Sequence, residues 1–180
     1  AMLVTHISAS VGALTWMAIE WIKSGKATMI GIATGMVAGL ATITPASGTV
    51  GPAGALLIGF MAGIVCFYAT QAVKSYFKID DSLDVFPVHG VGGILGIIML
   101  AIVGNPDGFL GSGASGISED GVVAQLVIQL QGVFIICAYT ALITYVILKV
   151  LNMFIEVRVT SEQEDIGLDM SEHNEQGYSL

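Results

Sequence analysis

The sequence predicts an all-α integral membrane protein of five spans, starting outside the cell and ending in the cytoplasm. Three observations point there. Of the 180 residues 54% are hydrophobic and 11% charged, with a mean hydropathy of +0.83; a soluble domain carries about 25% charged residues. Five apolar segments approach the ~20 residues that a bilayer-crossing helix needs. Once those segments alternate across a bilayer, every Lys and Arg falls on the same side.

The expected spans are about 2–22, 27–44, 52–72, 85–103 and 122–154, forming a helical bundle over 1–155. An acidic cytoplasmic tail fills 156–180. Lys23 and Lys26 lie between the first two spans, and Lys74 and Lys78 between the third and fourth; Lys149 and Arg158 flank the end of the fifth. The other two connections hold no basic residue, and the excess of Lys and Arg on one side makes that side cytoplasmic. The fifth span exceeds the bilayer thickness and is expected to tilt or project into the cytosol. The first apolar run is too long for a signal peptide and lacks a basic leader. A chain that opens on Ala1-Met2 and enters a span at once is expected to have further sequence upstream.

Charge and motif content exclude several classes. Half of the 14 acidic residues follow Ile155, so the net charge of −8 belongs largely to the tail. Six cations make no nucleic-acid surface. Cys66 and Cys137 sit inside apolar runs, without metal-ligand or disulfide spacing, and are expected to be buried small hydrophobes. Neither G-x-S-x-G nor H-E-x-x-H occurs, and no phosphate-cradling loop. No enzyme, no metal and no cofactor are expected. The glycine-rich stretch 108–121 reads as a solvated outer loop, and Thr44-Pro-Ala-Ser-Gly48 as an outer turn.

Within the spans, glycines recur at four-residue spacing: Gly31, Gly35 and Gly39; Gly59 and Gly63; Gly92 and Gly96. In lipid, small residues at this spacing let helix backbones approach closely. A tight bundle is expected. The tail's Thr160-Ser-Glu-Gln-Glu-Asp reads as a helix start; the whole tail is either a solvated terminus or a regulatory segment docked beneath the bundle.

The stretch from Asp84 to Gly96 carries a histidine, a proline and four glycines in a membrane span. An ionisable side chain at that depth is costly and marks a functional hypothesis. His89 lies about 8 Å short of the middle of its span, at 1.5 Å per residue. Two roles fit it: an interhelical hydrogen bond, or part of a narrow pathway for a small polar solute. By contrast, His6 and Glu20 read as interfacial, His173 as a tail residue, and Asp80, Asp81 and Asp84 as caps of the following helix.

Over nearly its whole length the sequence resembles the ammonium transporters of the Amt/Mep/Rh group. Asp80-Asp-Ser-Leu-Asp-Val-Phe-Pro-Val-His-Gly-Val-Gly-Gly-Ile-Leu-Gly96 is similar to the segment with that family's second pore histidine. Thr44-Pro-Ala-Ser-Gly48 is similar to the turn after its eighth span, and Leu14–Trp21 to the end of its seventh. Gln163-Glu-Asp-Ile-Gly-Leu-Asp169 resembles its cytoplasmic tail. Pro87 stands where many members have glycine.

The resemblance implies the carboxy-terminal five spans of the eleven-span ammonium transporter fold, as a fragment of a longer protein. It implies a substrate pathway with His89 as one of two stacked pore histidines, Thr44 supporting the outer vestibule, and Val85 also on the pathway. Asp84, Pro87 and Gly90 would shape the His89 segment; Gly167 and Asp169 would belong to a tail communicating between subunits of a homotrimer. Ammonium, the lipid bilayer and a PII-type regulatory protein at the cytoplasmic face are the implied partners. Movement of NH4+/NH3 is the implied function. An ammonium sensor signalling through the tail, or a fragment inactive alone, are the alternatives.

Overall fold

The computed structural model describes residues 1–104 and 121–175. Helix α1 (Met2–Ser24) leads to α2 (Met29–Ile43), α3 (Pro52–Gln71), α4 (Gly92–Val103) and α5 (Val122–Leu151), with short α6 (Ser161–Ile166) and α7 (Leu168–His173) after them. With the turns that extend α2, α3 and α4, the five long helices become membrane-crossing candidates Met2–Ser24, Met29–Ala46, Pro52–Tyr76, Phe86–Val103 and Val122–Leu151. Two compact units result, Ala1–Val133 and Phe134–Leu180. Of the expected loop 108–121 only Gly121 lies within the described residues, and of the tail residues 176–180 lie outside them.

Local chemistry sets the helix ends in the first unit. Gly25 adopts φ 73°, a left-handed conformation that glycine takes without strain, and its N–H closes α1 onto the Trp21 carbonyl at 2.9 Å. Thr28 opens α2 by accepting the Gly31 N–H on its hydroxyl at 2.9 Å. Pro52 sits in the first turn of α3, where its missing N–H costs nothing.

Packing of the first unit centres on α1, and glycine makes it possible. A Cβ on Gly12 would come within 2.5 Å of the Gly35 carbonyl oxygen and 3.1 Å of the Gly39 Cα. Gly59 and Gly63 let α3 approach from the other direction: a Cβ there would lie 2.5 Å from the Ser8 carbonyl oxygen and 2.6 Å from the Thr15 Cβ, respectively. Gly96 likewise receives the Thr42 carbonyl of α2. Ser8, fully buried, adds an interhelical bond by donating its hydroxyl to the Gly39 carbonyl at 2.9 Å. The spaced glycines on α2, α3 and α4 therefore do pack helices, and those of α2 and α3 converge on Gly12 and Ser8.

Two apolar clusters fill what the glycines leave. Val4, Ile43, Val50, Ile58, Met99 and Val103 gather around the Thr44–Ala46 turn. Trp16, Ala38, Cys66, Phe67 and Val88 gather toward the lysine-bearing connections, with Trp16 edge-on to Phe67 at 5.2 Å. Lys23 completes that end, its ammonium 4.7 Å from the Tyr68 ring centre.

In the second unit, α5 continues to Leu151, where Met153 and Phe154 bond back to Val150 and Leu151 and tighten the chain into a turn. Cys137 corrects the expectation that both cysteines are buried: Cys66 is buried and Cys137 is exposed. Apolarity alone cannot separate a protein-facing from a lipid-facing position, because hydrocarbon is as apolar as a protein core. Thr160 opens α6 with a capping box, accepting the Gln163 N–H at 3.3 Å while the Gln163 side chain takes the Thr160 N–H at 2.9 Å. The expected helix start in the tail is thus present.

Replacing Gly12 by Val should destabilise the bundle by about 1–3 kcal/mol through overpacking. Gly132→Val, where no neighbouring atom lies within 4 Å, should change little. Thermal unfolding of the two variants in detergent measures the difference.

Candidate functional site

The approach to His89 is built by two carboxylates with separate tasks. Asp81 caps the helix, its Oδ1 accepting the Val85 N–H at 2.9 Å and its Oδ2 the Phe86 N–H at 2.8 Å. Asp84, expected to share that role, does not. Its backbone is left-handed, φ 57°, and its carbonyl accepts the Val88 N–H at 3.0 Å. Its carboxylate turns instead to the Lys74 ammonium, 2.8 Å away; that Oδ1 is buried, and the contact is an ion pair without the angles of a directed hydrogen bond. Asp80 corrects the capping expectation as well: its carboxylate accepts the Ser82 hydroxyl, at 3.3 Å.

Beyond Asp84 the chain enters a π-helical stretch, Phe86–Val91, before the regular α4. Pro87 lies in its first turn, buried, where it removes no bond that a continuing helix needs. Gly90 receives the Phe86 ring, which would lie 3.0 Å from a Cβ there. A π turn inserts one residue relative to an α-helix and so rotates the residues beyond it, and such turns are frequent at functional sites.

His89 is exposed and lines an open groove of about 260 Å³ with Ile30, Ala33, Thr34, Val37, Leu83 and Val88. Ile30, Ala33, Thr34 and Val37 form one face of the lysine-side half of α2, at i, i+3, i+4 and i+7. The walls are apolar except for the imidazole and the Thr34 hydroxyl, which donates to the Ile30 carbonyl at 2.8 Å. An imidazole presents a donor and an acceptor when neutral. It is the one ring able to hydrogen-bond a small polar molecule in this groove.

The other expected pathway residues stand apart from it. Thr44 lies at the far end of α2, in the Thr44–Ala46 turn, exposed and donating its hydroxyl to the Leu40 carbonyl at 2.7 Å. Val85 is 53% exposed just before the π turn and is not among the groove's lining residues. In the second unit, Gly167 joins α6 to α7 at φ 94°, a conformation that L side chains rarely adopt. Asp169 sits in the first turn of α7, and its carbonyl accepts the Glu175 N–H at 2.9 Å. Gln163 and Glu172 brace this elbow with a 2.8 Å side-chain bond.

Two residues that the sequence does not promote belong to the surroundings of the site. Thr34 has a findable signal, being the polar member of an otherwise apolar face. Glu20 reads in the sequence as an interface anchor or helix-end charge; at the end of α1 its carboxylate accepts the Trp16 indole N–H at 3.2 Å, the Thr28 N–H at 2.8 Å and the Thr28 hydroxyl at 3.1 Å. It also packs directly on Gly31. Glu20 thus fastens the start of α2, the helix that walls the His89 groove, to the end of α1. Among the described residues, no cluster of His, Cys, Asp and Glu could hold a metal ion.

Comparison with known proteins places the chain in a family. The model of the Ammonium Transporter Family matches residues 1–178. The chain belongs to the ammonium transporter family. An ammonium transporter of Aquifex aeolicus is 41% identical over 180 residues, 100% of this chain and 41% of the relative. The ammonium transporter Amt1 of Archaeoglobus fulgidus is 42% identical over 99% of this chain and 44% of its own length. Among solved structures, a Sensor Amt Protein superposes with TM-score 0.83 at 28% identity, covering 95% of this chain and 41% of that one. Saccharomyces cerevisiae Mep2 does so with TM-score 0.78 at 31% identity, covering 89% and 37%. The chain therefore spans about two-fifths of the length of these relatives, has the helical fold of the two solved structures over that part, and is a multi-pass membrane protein.

In this family member, Glu20→Ala should loosen the α1–α2 junction and cost about 1–3 kcal/mol by stripping the indole and the Thr28 groups of their acceptor. Glu20→Gln, which keeps one acceptor oxygen, should cost less. Detergent thermal unfolding orders the three proteins, and equal midpoints would remove Glu20 from the junction.

Proposed function

We propose that this chain supplies the histidine-bearing wall of a pathway that moves NH4+/NH3 across a cell membrane. The observation that carries the reading is His89, exposed on a π turn and lining a groove that is otherwise apolar apart from Thr34. The names of the relatives supply the solute. Full ionic charge is costly in an apolar conduit, so the ion gives up its proton to water at the mouth of the pathway, before the narrow part, and the neutral molecule passes the imidazole. A neutral imidazole matches ammonia, which can both donate and accept a hydrogen bond.

The groove is open on the side His89 faces, so conduction is proposed for the assembled protein, in which a further wall closes it. In that protein Thr44 serves the outer vestibule and Val85 the inner end, while Asp84, Pro87 and Gly90 hold the shape of the His89 turn. Gly167 and Asp169 are proposed to form the tail elbow that communicates between subunits of a homotrimer, with a PII-type regulatory protein engaging the cytoplasmic face. The elbow's dependence on a left-handed glycine supports a shape built for contact, since a merely solvated tail needs no such bend.

In the full-length transporter, His89→Ala should lower methylammonium uptake about tenfold or abolish its discrimination against potassium, a loss typical of removing one key polar group. Uptake and selectivity equal to the parent protein would overturn the pathway role of His89. Deleting the residues after Arg158 should leave uptake in liposomes largely intact while removing binding of a cytoplasmic regulator.

A further inference from the structure

The His89 turn is one of two π-helical turns among the described residues of the first unit, and an ion pair joins them. The other, Ala72–Tyr76, ends α3 and contains Lys74. Between the two runs a short connection with two left-handed non-glycine residues, Lys78 at φ 54° and Asp84 at φ 57°. It is fastened at its start by Phe77 N–H to Ala72 O at 3.0 Å and Ile79 N–H to Val73 O at 3.1 Å. At its end, Asp81 commits both carboxylate oxygens to capping. Asp84 crosses back to α3, with its carboxylate on Lys74 at 2.8 Å, and among the described residues it has no other ion-pair partner.

We propose that Lys74 is a positioning residue for His89: its ion pair with Asp84 ties the π-helical end of α3 to the π-helical start of α4, and so fixes the direction of the imidazole. The inference rests on His89 being a pathway residue. The geometry behind it is rotational. Adding or removing one residue from a helical turn swings everything beyond it by about 100°. His89 lies inside the π turn, so relaxation of that turn to α geometry would rotate the imidazole relative to α4 and away from the groove it lines. Asp84 lies two residues before that turn, and its carbonyl already holds the Val88 N–H, one residue short of His89. An anchor at Asp84 thus acts on the phase of the turn itself.

The two ends of the pair are exposed differently. The Lys74 side chain is 43% exposed and can be solvated on its own, whereas that of Asp84 is 16% exposed with a buried Oδ1 that depends on the lysine. Removing the lysine charge should therefore lower the unfolding midpoint as well as altering transport, and the double variant, with no charge left to bury, should regain the midpoint but not the transport. Asp84→Asn is the matching substitution on the other side. Asn tolerates the left-handed backbone as Asp does, so it removes the charge without adding strain.

The experiment uses the full-length transporter in liposomes, with methylammonium and potassium as probes and with thermal unfolding recorded for every variant. Lys74→Gln and Asp84→Asn should each lower methylammonium uptake, and its ratio over potassium, by about fivefold, a loss readable as reduced stabilisation of the passing solute. Their combination should be no worse than either alone, because both remove the same pair. Lys74→Arg, which keeps the ion pair, should retain most of the uptake. Unchanged uptake and selectivity in Lys74→Gln, with His89→Ala defective, would overturn the positioning role alone. Losses that multiply in the double variant, or uptake that recovers in the double variant together with its unfolding midpoint, would overturn it too. An unaffected His89→Ala would remove the pathway reading and this inference together.

Discussion

The structure depends on how closely α1 can approach its neighbours. In a bilayer there is no hydrophobic drive to bring helices together, since lipid tails are as apolar as leucine. Close van der Waals contact and a few interhelical hydrogen bonds must do so. Gly12, set against Gly35 and Gly39 of α2, and Ser8, whose hydroxyl reaches the Gly39 carbonyl while Gly59 meets its own carbonyl, provide that contact. Without it α2 and α3 would stand farther from α1, and neither the aromatic cluster around Trp16 nor the wall beside His89 would assemble.

Charged side chains work at the ends of this packed core, where they shape the site. Glu20 gathers the Trp16 indole and the Thr28 cap into one junction and so places the α2 face that walls the groove. Asp81 and Asp84, three residues apart, divide the other approach between them: one satisfies free helix N–H groups, the other reaches across to α3. Among the described residues of the first unit these charged side chains lie at the lysine-bearing end, and the interior is built from glycine, serine, threonine and apolar groups. In the His89 groove the polar groups are the imidazole and the Thr34 hydroxyl.

Much of the architecture was legible in the residues because membrane constraints are strict. Apolar length and the one-sided distribution of Lys and Arg led to five spans and their orientation before any contact was known. Glycine spacing marked the packing faces of α2, α3 and α4, and Thr160-Ser-Glu-Gln-Glu-Asp announced a helix start. The partners of those faces were not legible: Gly12 on α1 lies against Gly35 and Gly39, and its carbonyl also lies near Gly63, yet an isolated Gly carries no periodic signal. Cys137 shows the same limit, since its apolar surroundings did not reveal whether protein or lipid lies beside it.

The sequence by itself determined membrane class, span number, sidedness and the singular position of His89, because each follows from composition or from a residue whose cost in lipid is high. The tertiary structure decided which carboxylate caps and which pairs, that Glu20 fastens the end of α1 to the start of α2, and that His89 sits on a π turn. Those outcomes depend on distances between helices and on single-residue rotations. Such rotations reverse which face a side chain occupies while leaving the order of residues untouched.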